Sequence, residues 1–150
     1  MKSSKLVPGG PAREPDLLFI AKENFSRLTE DRLEGAPDLV IEVISKNSVK
    51  YDREDKLKEY QAAGVREYWI IDPRPNKQRV DFYRLVTGGV YQLYATEEDP
   101  QVESEVITGF WLRPEWLWQT EVLNPLTCLL PMPGVMEAIS AQMQKVKQSA

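Results

Sequence analysis

The sequence of 150 residues contains no histidine and a single cysteine, Cys128. Without histidine, neither a Ser-His-Asp nor a Cys-His nucleophile can form, and zinc sites that use imidazole are excluded. One cysteine cannot form an internal disulfide or an all-cysteine zinc site. Catalysis would therefore depend on carboxylate, lysine, arginine, tyrosine or hydroxyl groups, together with a cation that prefers oxygen ligands.

Long apolar segments are also absent, because no run reaches the roughly 18 residues that a membrane-spanning helix needs. The first residues are followed by prolines and glycines instead of the apolar core of a signal peptide. We therefore expect no membrane partner, and the single cysteine without a secretion signal predicts a cytoplasmic protein. The formal net charge of −4 provides no overall attraction for nucleic acid, although a local basic surface is compatible with it.

The order of the apolar segments predicts an α/β (α+β) fold, a mixed sheet with a helix on at least one face. Hydrophobic residues make up 42% and charged residues 28% of the chain, as in a globular domain with one core. Hydrophobic periodicity and turn residues predict strands at 16–21, 38–45, 65–72 and 102–110, a helix at 52–63, and an added hairpin of 79–86 with 90–96.

The end of the chain differs in character from the rest. Prolines interrupt its first part, and residues 134–147 form a modest amphipathic pattern of helical period. We therefore divide the chain into a domain of residues 1–119 and a C-terminal extension of residues 120–150. We expect the extension to pack on the domain or on a second subunit.

A glutamate inside an apolar strand is the first feature that indicates chemistry. Glu42 lies in the middle of the strand at 38–45, where an acid is costly unless it is paired or binds a cation. Asp16 follows Pro15 at the start of an earlier strand. Carboxylates from adjacent strands can together hold Mg²⁺ or Mn²⁺ and leave positions for water and a phosphate. A structural ion pair of Glu42 with Lys56 or Arg53 is the alternative, and it needs no metal.

Lys56 is the lysine best placed to act with these acids. It stands four residues after Asp52 and four before Tyr60, so the three share one stripe of the predicted helix. If this helix packs on the strand at 38–45, the stripe overhangs Glu42, where a lysine can stabilise developing negative charge. Taken alone, Lys56 fits a solvated helix lysine better than a catalytic one. The basic residues that could meet phosphates, with an ordinary charged helix as the alternative, are Lys46, Lys50, Arg53, Lys56 and Lys58.

Four motifs, in this order, closely resemble the Uma2 family, formerly DUF820, which abounds in cyanobacteria and is similar to PD-(D/E)XK restriction endonucleases. They are P-D-L-L (15–18), G-A-P-D-L-V-I-E-V-I-S (35–45), Tyr51-Asp52 followed by Lys56 and Tyr60, and G-V-R-E-Y-W-I-I-D-P (64–73). The resemblance covers about residues 13–118. It implies a restriction-endonuclease-like fold and a nuclease that cleaves DNA with Mg²⁺ or Mn²⁺.

The resemblance also implies which side chains form the site. Ile44 occupies the position of the usual motif lysine, so Lys56 is expected to replace that lysine. The implied catalytic residues are Asp16, Glu42 and Lys56, and the carboxylates of Asp16 and Glu42 are the implied metal ligands. Asp38, Asp52 and Tyr60 are implied accessory residues.

Members of the family usually carry some tens of residues before the first P-D motif, so we also expect part of the N-terminal layer to be missing. A catalytically inactive, oligomerising binding or assembly module that retains the fold is therefore the alternative function. Under this alternative we expect a partner to cover the sheet edge near residue 16, because unpaired edges invite association. We expect the protein to be a homo-oligomer, such as a dimer.

Overall fold

The computed structural model describes residues 3–5, 12–46, 48–119 and 123–148. Its strands are β1 (Ser3–Lys5), β2 (Ala12–Arg13), β3 (Leu17–Phe19), β4 (Arg32–Glu34), β5 (Leu39–Val43), β6 (Glu67–Asp72), β7 (Arg79–Val86), β8 (Val90–Thr96), β9 (Val102–Glu103) and β10 (Trp111–Leu112). Its helices are α1 (Leu57–Ala63), α2 (Pro125–Leu129) and α3 (Val135–Gln148), and its 3₁₀ turns are Lys22–Arg27 and Pro114–Trp118.

A five-stranded sheet in the order β3-β5-β6-β7-β8 forms the centre of the described chain. Strands β5 and β6 are parallel, and every other neighbouring pair in this sheet is antiparallel. The predicted mixed sheet is therefore confirmed, and the β7–β8 hairpin has the bounds that were predicted from the sequence. Strands β2, β1 and β4 form a small separate sheet, and β9 pairs with β10.

The connection from β5 to β6 is helical, as a crossover between parallel strands requires. Helical structure begins at residue 49, is π-helical over Tyr51–Lys56 and continues as α1. It ends at Gly64, which adopts a left-handed φ of 82° while the amide of Val65 donates to the carbonyl of Tyr60. This helix packs on one face of the sheet, which we call the helix face.

Alternate residues of the central strands enter two separate cores. The core on the helix face consists of Val40, Ile44, Tyr60, Val65, Tyr68 and Ile70. The core on the opposite face consists of Leu39, Trp69, Val80, Phe82, Val102 and Val106. Glu42 belongs to the same alternating set as Val40 and Ile44, so β5 directs its carboxylate toward the helix.

The predicted strand at 102–110 is wrong beyond its first residues. Only Val102–Glu103 is extended, and the chain then turns and returns as β10. The cause is Glu67, which is fully buried and accepts hydrogen bonds from the Ser104 hydroxyl at 2.8 Å and the Glu105 amide at 2.7 Å. This contact between distant residues bends the segment, and no local pattern encodes it.

The C-terminal segment contains α2 and α3, and the helix predicted at 134–147 is present as Val135–Gln148. Residues 120–122, where the predicted extension begins, lie outside the described residues, so the division at 119 stays a prediction. No helix in the described ranges has the length and apolar character that crossing a membrane requires.

Candidate active site

Glu42 lies on a central strand of the sheet and is covered by the helix of residues 49–63. Only 3% of its surface is exposed. The Tyr60 hydroxyl donates to Oε1 at 2.7 Å, and Lys56 Nζ lies 3.0 Å from the same oxygen. None of the described residues donates a hydrogen bond to Oε2. The stripe of Lys56 and Tyr60 thus overhangs Glu42, as the helical spacing predicts.

Lys56 bridges two buried carboxylates. Its Nζ lies 2.8 Å from Asp52 Oδ1, one turn earlier, as well as 3.0 Å from Glu42 Oε1. Burial lowers the pKa of Lys56, but the two carboxylates outweigh burial and hold the pKa above its usual value. Lys56 is therefore positively charged at neutral pH.

Asp16 reaches the same end of β5 from the neighbouring strand. The antiparallel register pairs Leu17 with Ile41, so the next position places Asp16 opposite Glu42. Its Oδ2 accepts a hydrogen bond of 2.7 Å from the amide of Val43, which continues the ladder past the end of β3. Unlike Glu42, Asp16 is exposed to solvent.

The pKa of Glu42 reflects this position. Burial raises the pKa of Glu42, while contacts with Tyr60 and Lys56 oppose the rise without cancelling it. The negative charge of Asp16 adds to the rise, so the two acids are close enough to repel each other. A raised pKa means that the ionised form of Glu42 is destabilised at this position. A cation bound beside it would stabilise that form.

The accessory residues separate into two groups. Asp52 and Tyr60 join the cluster through Lys56 and Glu42. Asp38 does not, because it lies four residues from Glu42, about 13 Å along an extended strand. The Asp38 carboxylate instead accepts hydrogen bonds from the amide of Ala21 at 2.8 Å and the side chain of Asn24 at 2.9 Å.

Two charged contacts near the site have no signal in the motifs. Arg13 forms a bidentate pair with Glu59, which lies 46 residues away in sequence. Arg53 forms an ion pair with the buried Asp81, so its guanidinium is bound within the protein. No local pattern in the sequence links Arg13 to Glu59, whereas Arg53 is among the basic residues that the sequence indicates as possible phosphate contacts.

The donor set fits a divalent cation in its chemistry. Glu42 and Asp52 bring two carboxylates to the single ammonium of Lys56, and Asp16 adds a third opposite Glu42, a formal charge of −2 for these four side chains. An ion pair with Lys56 alone leaves this excess uncompensated, whereas Mg²⁺ is commonly bound through one or two carboxylates with water in its other positions. Within the described residues, no group of three or more Asp, Glu, Cys or His side chains is arranged to hold a metal by itself. Asp16 and Glu42 are the two carboxylates that stand at facing positions of the β3–β5 register.

The fold has a known counterpart. The chain is similar to a protein from Anabaena variabilis whose crystal structure is described as that of a "putative nuclease belonging to DUF820", with 20% sequence identity and a TM-score of 0.54. The match covers 71% of this chain and 60% of that protein, so the chain spans less than two thirds of its length. The mixed sheet with its flanking helices thus has the α+β fold of that protein, as the predicted fold class requires.

The family follows from the sequence. The Uma2 family, described as "Putative restriction endonuclease", matches residues 4–115, and the chain belongs to this family. The resemblance inferred from the four motifs is thereby confirmed. The chain has no significant match among curated proteins.

Proposed function

We propose that this protein is a Mg²⁺-dependent nuclease that hydrolyses phosphodiester bonds in DNA, with Mn²⁺ as an alternative cation. The observation that carries the proposal is the excess negative charge around Lys56, whose partly buried ammonium lies between the carboxylates of Glu42 and Asp52, while Asp16 stands opposite Glu42. Membership of a family described as "Putative restriction endonuclease" supports the same class of reaction.

Asp16 and Glu42 would hold the cation, each from its own strand. Tyr60 and Lys56 both engage Oε1 of Glu42, so Oε2 is the oxygen left for the cation. When bound, a divalent cation lowers the pKa of a coordinated water and neutralises charge on the phosphate.

Lys56 would act as a cation and not as a base. Its ammonium is held between Asp52 and Glu42, and its raised pKa keeps the proton on Nζ at neutral pH. A fixed positive charge at this place stabilises the negative charge that develops on the phosphoryl oxygens. Asp52 orients the ammonium, and Tyr60 orients the carboxylate of Glu42.

Replacing Glu42 by glutamine tests the cation site directly. We expect the heat of Mn²⁺ binding, measured by titration calorimetry, to disappear in E42Q because the variant lacks the buried carboxylate charge. Glu54→Gln, at an exposed position of the same helix, is the matched control and should bind as the unmodified protein does. Equal heats from E42Q and E54Q would refute the site.

Replacing Lys56 by methionine tests the chemistry. Cleavage of supercoiled plasmid in Mg²⁺ should slow by about 100-fold or more, the loss usual for a transition-state donor. Lys58→Met changes an exposed lysine of the same helix and should leave the rate unchanged. A K56M protein that cleaves at the unmodified rate would rule out this role for the ammonium.

An oligomerising assembly module is the second candidate, because β3 is an edge strand of the central sheet and its outer side has no strand partner among the described residues. Leu17 on this edge is 58% exposed. A homodimer that covers it would be lost in Leu17→Lys and kept in Leu93→Lys, on the opposite edge strand. Light scattering that gives a monomer for the unmodified protein would contradict the dimer.

A further inference from the structure

Asp16 depends on the segment that precedes it. β3 has three residues and pairs on one side with β5, and the hydrogen bond from Val43 is the contact that holds the Asp16 carboxylate. A short edge strand with one neighbour is a weak support, because edges fray at low free-energy cost. A contact earlier in the chain can therefore help to hold Asp16 in place.

Arg13 provides an anchor three residues before Asp16. Its Nε lies 2.8 Å from Glu59 Oε2 and its Nη2 lies 2.6 Å from Glu59 Oε1, so both prongs of the guanidinium are used. The side chains of Arg13 and Glu59 are 23% and 36% exposed, so the pair is partly shielded from water. Bidentate geometry fixes the direction of approach as well as the distance, which a lysine cannot do.

The anchor sits beside the site. Glu59 directly precedes Tyr60, so two successive helix residues hold the two chain segments that carry Asp16 and Glu42. The Arg13 guanidinium also lies 5.6 Å from the centre of the Tyr51 ring, and Lys56 Nζ lies 5.5 Å from the same ring. Three residues of extended chain span at most about 11 Å, so the anchor limits how far Asp16 can move.

We propose that Arg13 is a positioning residue of the candidate active site. Its pair with Glu59 holds the segment before β3 against the helix, and this fixes the Asp16 carboxylate opposite Glu42. The metal part of this role rests on the proposed function, while the placement of Asp16 can be measured in the metal-free protein.

Hydrogen exchange of single amides, followed by NMR, reports the placement. In Arg13→Lys and in Glu59→Gln we expect the Val43 amide to exchange on the order of tenfold faster, since its acceptor is Asp16. The Ile44 amide, which donates to the carbonyl of Ile71, should be unchanged. The matched control is Arg32→Lys, because Arg32 pairs with Glu34 at 2.8 Å on the exposed surface. Equal acceleration at Val43 and Ile44, or an effect no larger than that of R32K, would overturn the role.

Calorimetry with Mn²⁺ separates this inference from the proposed function. R13K and E59Q should weaken Mn²⁺ binding on the order of tenfold, as loss of a residue that orients a metal ligand does, and R32K should not. If the unmodified protein binds Mn²⁺ and R13K and E59Q bind it equally well, the positioning role is wrong. If the unmodified protein binds no Mn²⁺, the proposed function itself is wrong, and with it the metal part of this role.

Discussion

At the scale of single residues, the site is distinguished by an imbalance of charge. Buried ion pairs lose solvation energy and recover it only when each charge is matched. Arg53 and Asp81 satisfy this condition as partners, and Arg79 adds a second cation to Asp81 at 2.8 Å. Around Lys56 the acids are in excess. A cluster of this kind is costly to the folded state, and function is a reason for a protein to retain it.

The hydroxyl of Tyr60 offers a test at this scale. It is buried and donates to Oε1 of Glu42, the oxygen that also faces the Lys56 ammonium. Tyr60→Phe should therefore lower the free energy of unfolding at neutral pH by about 1.5–3 kcal/mol, the cost of losing a hydrogen bond to an ionised acceptor. Tyr91 donates to the neutral carbonyl of Val65 at 2.8 Å, and Tyr91→Phe should cost about 0.5–1.5 kcal/mol. Urea unfolding of both variants measures the difference. A smaller loss for Y60F than for Y91F would contradict a charged acceptor at Glu42.

At the scale of elements, the helix of residues 49–63 delivers three of the predicted site residues to one strand. Its π-helical part carries Asp52 and Lys56, and α1 carries Tyr60. π-Helical turns are frequent at functional sites, since they shift side chains relative to a regular helix. The left-handed Gly64 ends this helix and lets the chain enter β6 beside β5.

Gly64 is therefore the position where the element can be perturbed without touching the site. A Cβ added there meets no atom within 4 Å, so Gly64→Ala costs only backbone strain at φ 82°. We expect the free energy of unfolding to fall by about 1–2 kcal/mol, the penalty for a left-handed alanine. Asparagine tolerates this region better, so Gly64→Asn should lose less. Equal losses in chemical unfolding would show that the strain is not the cause.

The elements also explain which parts of the fold could be predicted from the sequence. The hairpin of β7 and β8 was predicted with correct bounds because alternation and a glycine turn are local signals. The turn after β9 was missed because it depends on Glu67, 37 residues away in sequence from Ser104. For the site, helical spacing predicted that Lys56 lies near Glu42. The position of Asp16 opposite Glu42 depends on the β3–β5 register, which no local pattern gives. The contact of Arg13 with Glu59 likewise depends on the folded chain.

At the scale of the whole molecule, charged side chains occupy both faces of a sheet that is otherwise apolar. On the helix face, Glu42 and Asp81 lie on either side of Ile70. The helix provides a cation to each of them, Lys56 to Glu42 and Arg53 to Asp81. On the opposite face, Glu67 ties the sheet to the segment that follows β9. Where a contact of this kind lowers the pKa of a carboxyl group below its ordinary value, the stability of the fold responds to acid.

Asp72, at the end of β6, allows this response to be isolated. Hydrogen bonds from Arg74 lower the pKa of Asp72 below its ordinary value of 3.8, against an opposing effect of burial. A carboxyl group whose pKa is lower in the folded than in the unfolded state stabilises the fold above the unfolded pKa, and this stabilisation is lost as the pH falls through the folded pKa.

In Asp72→Asn the titrating group is absent. The difference in unfolding free energy between the unmodified protein and D72N should therefore be constant from pH 7 to 5 and shrink toward pH 3. Urea unfolding at these pH values measures it, with the exposed Asp55→Asn as a control that shows no such trend. A difference that does not change with pH would mean that the Arg74 contact does not favour the ionised form of Asp72 in solution.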